Sequence, residues 1–358
     1  MKLLFLATEI NYGGASKIFV SIANNMAQSG HEVTFLTWRR KSDCSVLNEN
    51  IHYDHLECDG KITKYFTTIK SIIDLRSYII SHEFDVAIAF LGPSILRLIC
   101  ACWNTNVKTI VSERGDPYFK QPNIILRLKN IPSKLAFNHA DCYVFQIENA
   151  KSYYASKIRG KKIYIIPNPI ACRPNSIHDK SENRIVSVGR LDVRQKRQDV
   201  LIKAFAKISS KYPDYTLEFY GDGKDEDYLR KIAKPYTNIL FKGKVDNAES
   251  YIKDASLFVM SSDFEGMPNA LMEAMSIGLP CISTDCSPGG AAELINNEVN
   301  GLLVPCNNIE KMAESIDFML LHKDKAEQMG EEARKIVYDY SLQKVMNMWN
   351  EVFNDLKD

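Results

Sequence analysis

Short apolar runs recur along the whole chain, separated by longer stretches whose apolar residues fall at helical spacing. That alternation marks β-α-β units, in which strands buried on both faces read as continuous apolar runs between crossover helices. In the first half, L-L-F-L-A-T from Leu3 predicts a strand and residues 15–28 a helix. E-V-T-F-L-T-W from Glu32, D-V-A-I-A-F-L from Asp85, K-T-I-V-S from Lys108 and C-Y-V-F-Q from Cys142 predict further strands. I-Y-I-I-P-N-P from Ile163 closes the series, because Pro167 and Pro169 stop its continuation. After a polar, turn-rich stretch a second series begins: R-I-V-S-V-G-R from Arg184, T-L-E-F-Y-G from Thr216 and I-L-F-K-G-K-V from Ile239. It continues with L-F-V-M-S-S from Leu257, P-C-I-S-T from Pro280 and G-L-L-V-P from Gly301. Two doubly wound α/β domains are expected, residues 1–168 and 184–337, with a linker at 169–183 and a last helix, 338–358, returning to the first domain. Ligands of such sheets bind beyond the carboxyl ends of the strands, so the cleft between the domains is the expected site.

Composition narrows this picture. A length of 358 residues suits two domains, and 45% hydrophobic with 25% charged residues describes an ordinary globular chain. The opening M-K-L-L-F-L-A-T-E-I is too short for a signal sequence and reads as a core strand, and no apolar run approaches the roughly 20 residues of a membrane span. Nine cysteines without a C-x-x-C pair form neither a disulfide framework nor a zinc signature. Cys100, Cys102 and Cys281 lie in apolar runs as small core residues, which implies a reducing, cytoplasmic setting. Charge is uneven: residues 1–170 hold 21 Lys/Arg against 14 Asp/Glu, and the remainder 24 against 30. The basic half suits an anionic surface such as phospholipid, with chance surface variation as the alternative.

Chemistry-bearing residues gather where strands end. T-E-I-N-Y-G-G-A-S-K follows the first strand, and Gly13 and Gly14 there let backbone N–H groups approach a phosphate. A plain tight turn reads equally well, and the dinucleotide fingerprint G-x-G-x-x-G of nicotinamide enzymes is absent. After the strand ending at Val188, Gly189 and Arg190 precede Lys196 and a new helix. Two cations on one strand-to-helix loop suit a diphosphate, although Arg194 and Arg197 make a solvated basic loop an equal alternative. S-S-D-F-E-G-M-P-N-A-L-M-E-A-M then runs from a strand end through Glu265 into an apolar helix. Pro268 suits that helix's first position, which turns the free N–H groups of Asn269, Ala270 and Leu271 towards an anion beside Glu265. Glu273, flanked by Ala, Leu and Met, needs strong donors to offset desolvation. A ribose diol supplies them, as does a local lysine or backbone group.

These residues carry a resemblance. E-G-M-P-N-A-L-M-E is the E-x(7)-E pattern of retaining GT-B glycosyltransferases, and the chain resembles glycosyltransferase family 4 along its whole length. G-G-A after the first strand, V-G-R-L with a following Lys, the G-D-G turn at Gly221–Gly223 and G-L-P after the acidic helix appear in the family's order. The resemblance implies two Rossmann-like domains facing across a cleft, and retaining, metal-independent transfer from a nucleoside diphosphate sugar, UDP being the commoner carrier. Arg190 and Lys196 then bind the donor diphosphate and Glu265 contacts the transferred sugar, as the catalytic set. Glu273 binds the ribose; Gly13, Gly14, Gly266, Met267, Asn269, Ala270 and Leu271 complete the donor site. The family's first-domain His is missing: the region reads V-S-E-R-G-D-P, so Ser112, Glu113 and Arg114 stand on the acceptor side without an assigned role. His139 precedes a strand and reads as structural.

Asp225, Glu226 and Asp227 imitate the D-x-D metal motif of another glycosyltransferase fold but open a helix, where acids complement the dipole. No metal or other cofactor is expected. Residues 119–137 mix Ile, Leu and Phe with Lys120, Arg127, Lys129 and Lys134 and no acid, as an interfacial segment does, or a core helix with a basic face. The expected partners are a nucleotide-sugar donor, a glycan acceptor linked to a lipid diphosphate and the inner face of the cell membrane; no nucleic acid is expected. A soluble acceptor is the alternative, and a noncatalytic binding protein of the same fold a more distant one.

Overall fold

The computed structural model describes residues 1–10, 14–38, 46–56, 64–90, 92–119, 131–158, 160–170, 178 and 182–357. Two compact units emerge, one of Met1–Asn168 with Gln343–Asp358 and one of Pro169–Leu342.

The first is a parallel sheet of β1 (Lys2–Ala7), β2 (Glu32–Thr37), β3 (Ile51–His55), β4 (Val86–Phe90), β5 (Lys108–Ser112), β6 (Cys142–Phe145) and β7 (Lys162–Ile165), in the order β3-β2-β1-β4-β5-β6-β7. Alternation along β1 divides the core: Leu3 and Phe5 pack on one face of the sheet, Leu4 and Leu6 on the other. β3 was not expected, because I-H-Y-D-H is an edge strand in which Ile51 alone is buried.

The second unit repeats the order as β10-β9-β8-β11-β12-β13, from β8 (Arg184–Val188), β9 (Thr216–Tyr220), β10 (Ile239–Gly243), β11 (Leu257–Met260), β12 (Cys281–Thr284) and β13 (Leu302–Val304). Both units are therefore Rossmann-like, with one reversal of strand order each: between β1 and β4, and between β8 and β11.

The last helix, Leu342–Asp355, belongs to the first unit. Val345, Met346, Trp349, Val352 and Phe353 form its buried stripe and join the core that holds Phe5 and Phe90. The return starts later than position 338. Ile336 is buried with Met272 and Met275 in the second unit, and Ile170 N donates to Tyr340 O at 2.8 Å. Cys102 and Cys281 are buried as expected, whereas Cys100 is half-buried. Of the basic stretch 119–137, residues 120–130, with Lys120, Arg127 and Lys129, lie outside the described residues, and Ile131–Phe137 is a helix. Among the described residues no helix is long and apolar enough to cross a membrane.

Trp349 is fully buried in the first core. Trp349→Ala should cost about 3–5 kcal/mol in urea unfolding. Amide exchange should accelerate in β1–β7 and stay unchanged in β8–β13; acceleration confined to the second unit would refute the placement of this helix.

Candidate active site

Where strand order reverses, the loops leaving the two adjacent strands run apart and leave a crevice at their carboxyl ends. In the second unit these strands are β8 and β11. The loop after β8 is seated by the neighbouring G-D-G turn. A Cβ on Gly221 would lie 2.0 Å from Gly189 O, and one on Gly223 2.2 Å from Leu191 O. Without them, Gly189 N donates to Tyr220 O at 2.9 Å and Leu191 N to Asp222 O at 2.8 Å. Asp192 then caps the short helix Val193–Lys196, its Oδ1 accepting from Arg194 N at 3.2 Å. Arg197, left-handed at φ 47°, turns the chain into the helix Gln198–Ile208.

The loop after β11 is fastened to this one. Ser261 Oγ donates to Lys196 O at 2.8 Å, and Asp263 N donates to Gln195 O at 2.8 Å. Arg197 spans both loops, 3.0 Å from Asp199 and 3.0 Å from Asp263. Beyond Phe264, Glu265 N donates to Ser287 O at 2.9 Å. A Cβ on Gly290 would fall 1.5 Å from Gly266 O, so the helix Gly290–Leu294 abuts the Glu265–Gly266 backbone directly.

These anchors place Lys196 Nζ 2.5 Å from Glu265 Oε1, which also accepts from Ser262 Oγ at 2.8 Å. Glu265 is buried; the Lys196 side chain keeps 19% exposure. Arg190 is exposed, and its Nη2 donates to Gln195 Oε1 at 3.1 Å. The helix Asn269–Ser276 starts just beyond. Pro268, expected at its first position, is instead its extended N-cap (ψ 102°), and the first N–H bonded within the helix is that of Met272, to Pro268 O at 3.1 Å. The preceding N–H groups, on Asn269, Ala270 and Leu271, have no carbonyl a turn earlier within the helix. Glu273 is half-buried rather than enclosed, so burial makes a smaller demand for donors than its apolar neighbours suggested. A cation, an acid, an exposed guanidinium and a helix start thus share one strand-end site. Such a group can hold an anion and orient hydroxyls beside it.

In the first unit Gly14 is the exposed first residue of the helix Gly14–Gln28, after β1 at that sheet's reversal; Gly13 lies outside the described residues. Two residues expected on the acceptor side are engaged internally. Ser112 Oγ is fully buried and donates to Val144 O at 2.8 Å. Arg114 is buried, donates through Nη1 to Asn168 Oδ1 at 3.0 Å and stacks 4.2 Å from the Phe90 ring centroid. Glu113 is half-buried; its Oε1 accepts from Arg114 N at 3.1 Å and Gly115 N at 3.0 Å. Burial raises the Glu113 carboxyl above the usual range, against the pull of those two bonds and of Arg114. Two acids of the D-E-D stretch are engaged locally too: Asp225 Oδ2 accepts from Val193 N at 2.8 Å, and Glu226 pairs with Arg230.

Two family profiles match the chain: that described as Glycosyltransferase Family 4 over residues 12–173, and that described as Glycosyl transferases group 1 over residues 171–336. The chain belongs to the family 4 glycosyltransferases. It is 28% identical to an uncharacterized glycosyltransferase of Haemophilus influenzae, over 94% of this chain and 95% of that one. It is 24% identical to the Campylobacter jejuni GalNAc-alpha-(1->4)-GalNAc-alpha-(1->3)-diNAcBac-PP-undecaprenol alpha-1,4-N-acetyl-D-galactosaminyltransferase, over 100% and 99% of the two chains. Among solved structures, Anabaena Alr3699/HepE in complex with UDP shares the fold at a TM-score of 0.80, with 17% identity over 99% of this chain and 100% of that one. The fold is GT-B.

Sequence reasoning on this glycosyltransferase missed Gln195, Ser262 and the Arg197–Asp263 tie, which set the positions of Lys196 and Glu265. A signal existed for Gly290 alone: P-G-G after a strand is another tight strand-to-helix turn.

Gly290→Ala should displace the Gly266 loop and destabilise the second unit by about 1–3 kcal/mol. Gly92→Ala, whose Cβ meets nothing within 4 Å, should leave the urea midpoint within about 0.5 kcal/mol of the parent. Equal midpoints for the two variants would show that the close approach at Gly290 does not constrain the site.

Proposed function

We propose that this glycosyltransferase moves a hexose or N-acetylhexosamine from a UDP-sugar to a glycan acceptor carried on a lipid diphosphate, retaining the anomeric configuration and using no metal ion. The observation that carries the reading is the Lys196–Glu265 contact at the strand-order reversal of the second unit. A paired cation and acid orient one another, and a bound donor separates their tasks. Lys196 and Arg190 turn to the diphosphate, and the first-turn N–H groups of the helix Asn269–Ser276 and the Gly266–Met267 backbone add neutral donors. Glu265 accepts hydroxyls of the transferred sugar, and Glu273, with its access to solvent, takes the ribose. In the first unit Gly13 and Gly14 approach the distal phosphate, and Glu113 is the acceptor-side group left by the burial of Ser112 and Arg114.

In the transfer itself the bond from the anomeric carbon to the diphosphate breaks, and the electron pair leaves with phosphate oxygen. The acceptor oxygen attacks the same face through an oxocarbenium-like state, and its proton passes to the departing phosphate. Charge develops on the leaving group and is met by fixed cations, so no divalent ion is needed. UDP in the Anabaena neighbour and the PP-undecaprenol in the Campylobacter relative's name support the donor and acceptor classes. The basic first half supports work at the inner face of the cell membrane in surface-glycan assembly.

Two outcomes follow for purified enzyme supplied with UDP-sugars and membrane lipid extract. Release of UDP should persist in excess EDTA; complete loss that added metal restores would overturn the metal-free reading. The two acids should also fail differently. Glu273→Gln should weaken UDP binding in calorimetry by about 1.5–3 kcal/mol, with little change in kcat. Glu265→Gln should lower kcat more than donor affinity, and Lys196→Ala should resemble it, with a loss on the order of 10²–10³-fold. If Glu265→Gln abolishes UDP affinity while Glu273→Gln leaves it intact, the assigned roles are reversed.

A further inference from the structure

The carboxyl ends of the first sheet are taken by the transfer reading; its amino ends hold a pocket that this reading does not use. The pocket, about 480 Å³, lies at the starts of β5 and β6 and is lined by Trp103, Asn104, Asn106, Lys108, His139 and Asp141 among others. A five-residue strand rises about 3.3 Å per residue, so this place is on the order of 13 Å from the carboxyl ends.

Trp103 is 60% exposed, whereas Trp38 and Trp349, the other two tryptophans, are 8% and 0% exposed. The backbone that carries the Trp103 indole is fixed from behind. Arg76 Nη1 donates to Ala101 O at 2.9 Å and Trp103 O at 2.6 Å, and Asn104 turns the chain at φ 57°. The His139 ring meets the indole edge-on, with centroids 5.2 Å apart at 66°. His139 is exposed here, not the structural histidine its place before a strand suggested. Asp141 Oδ2 accepts from both Thr109 N and Thr109 Oγ1 at 2.8 Å, while Oδ1 has no hydrogen bond among the described residues. An exposed apolar platform beside amides, an imidazole and a carboxylate oxygen is the complement of a pyranose: its C–H face packs on the indole and its hydroxyls meet acceptors and donors at the rim. A phospholipid fits less well, since Asp141 offsets the lining Lys108 and the site is a hollow rather than a protruding apolar ridge.

We propose that this pocket is a carbohydrate-binding subsite that takes a neutral oligosaccharide at a place separate from the transfer site. A subsite there would hold a distant part of a long glycan and raise the local concentration of its growing end.

Trp103 supplies the readout, because it is the exposed tryptophan of the three. The full chain should be titrated with maltotetraose and with the tetramer of N-acetylglucosamine, following intrinsic fluorescence and calorimetry. Saturable binding of at least one, with a blue shift and protection from iodide quenching, is expected. Trp103→Ala should lower the calorimetric affinity at least about tenfold, with an unchanged melting midpoint. Asn106→Ala, which leaves the indole in place, should weaken binding while keeping the blue shift at saturation. No saturable signal with either sugar would overturn the proposal. So would equal affinity of parent and Trp103→Ala, or a blue shift given by phosphatidylglycerol vesicles and by neither sugar.

Discussion

Lys196 and Glu265 meet because the backbone makes three approaches closer than any side chain allows. Gly221 and Gly223 admit the carbonyls of Gly189 and Leu191, and Gly290 admits the carbonyl of Gly266. β8 and β11 pair directly, but their chains leave in opposite directions, so without these contacts the two loops would diverge. Arg197 closes the arrangement by pairing with Asp263 on the loop it did not come from. The loops that carry the cation and the acid are then held by backbone contacts and by the Arg197 pairs.

Much of the fold could be read from periodicity, and the departures have physical causes. Central strands such as K-T-I-V-S and L-F-V-M are buried on both faces and read as apolar runs. The edge strand I-H-Y-D-H is half-solvated, and its polarity hid it. The chain returns to the first unit at Gln343 rather than at 338, because Tyr340 still packs against the second unit's core and Val345 is the first residue of the last helix in the other. Of the site, the charged residues on strand-end loops stood out, since charge at the end of a buried run is conspicuous. Gln195 and Ser262 did not, because a polar loop residue carries no sign of which neighbour it will meet.

The first unit presents a different case. Ser112 and Arg114 stand in the region where the family's first-domain His is missing, and both are engaged in the packing of their own domain. Ser112 answers a carbonyl on β6. Arg114 lies over Phe90 and, at 5.9 Å, near Trp349 from the far end of the chain. A guanidinium's flat face suits such a stack, and its edge still reaches Asn168. Nothing local to V-S-E-R-G-D-P announces that partner, which only the tertiary return of the last helix supplies.

The charge distribution leads to a related point. The half that carries Arg190 and Lys196 is the more acidic one, although the proposed ligand is a diphosphate. The structure removes the contradiction, since acids there are distributed as counterparts: Glu265 to Lys196, Asp199 and Asp263 to Arg197, Asp192 to Lys224. Each acid fixes the direction of a cation at close range, while the field of the whole domain is screened beyond about 8–10 Å at physiological salt. On the proposed reading, recognition of an anion at this site is decided by which cations can turn to it from a prepared position. A domain of negative net charge can hold a diphosphate when its acids do the aiming.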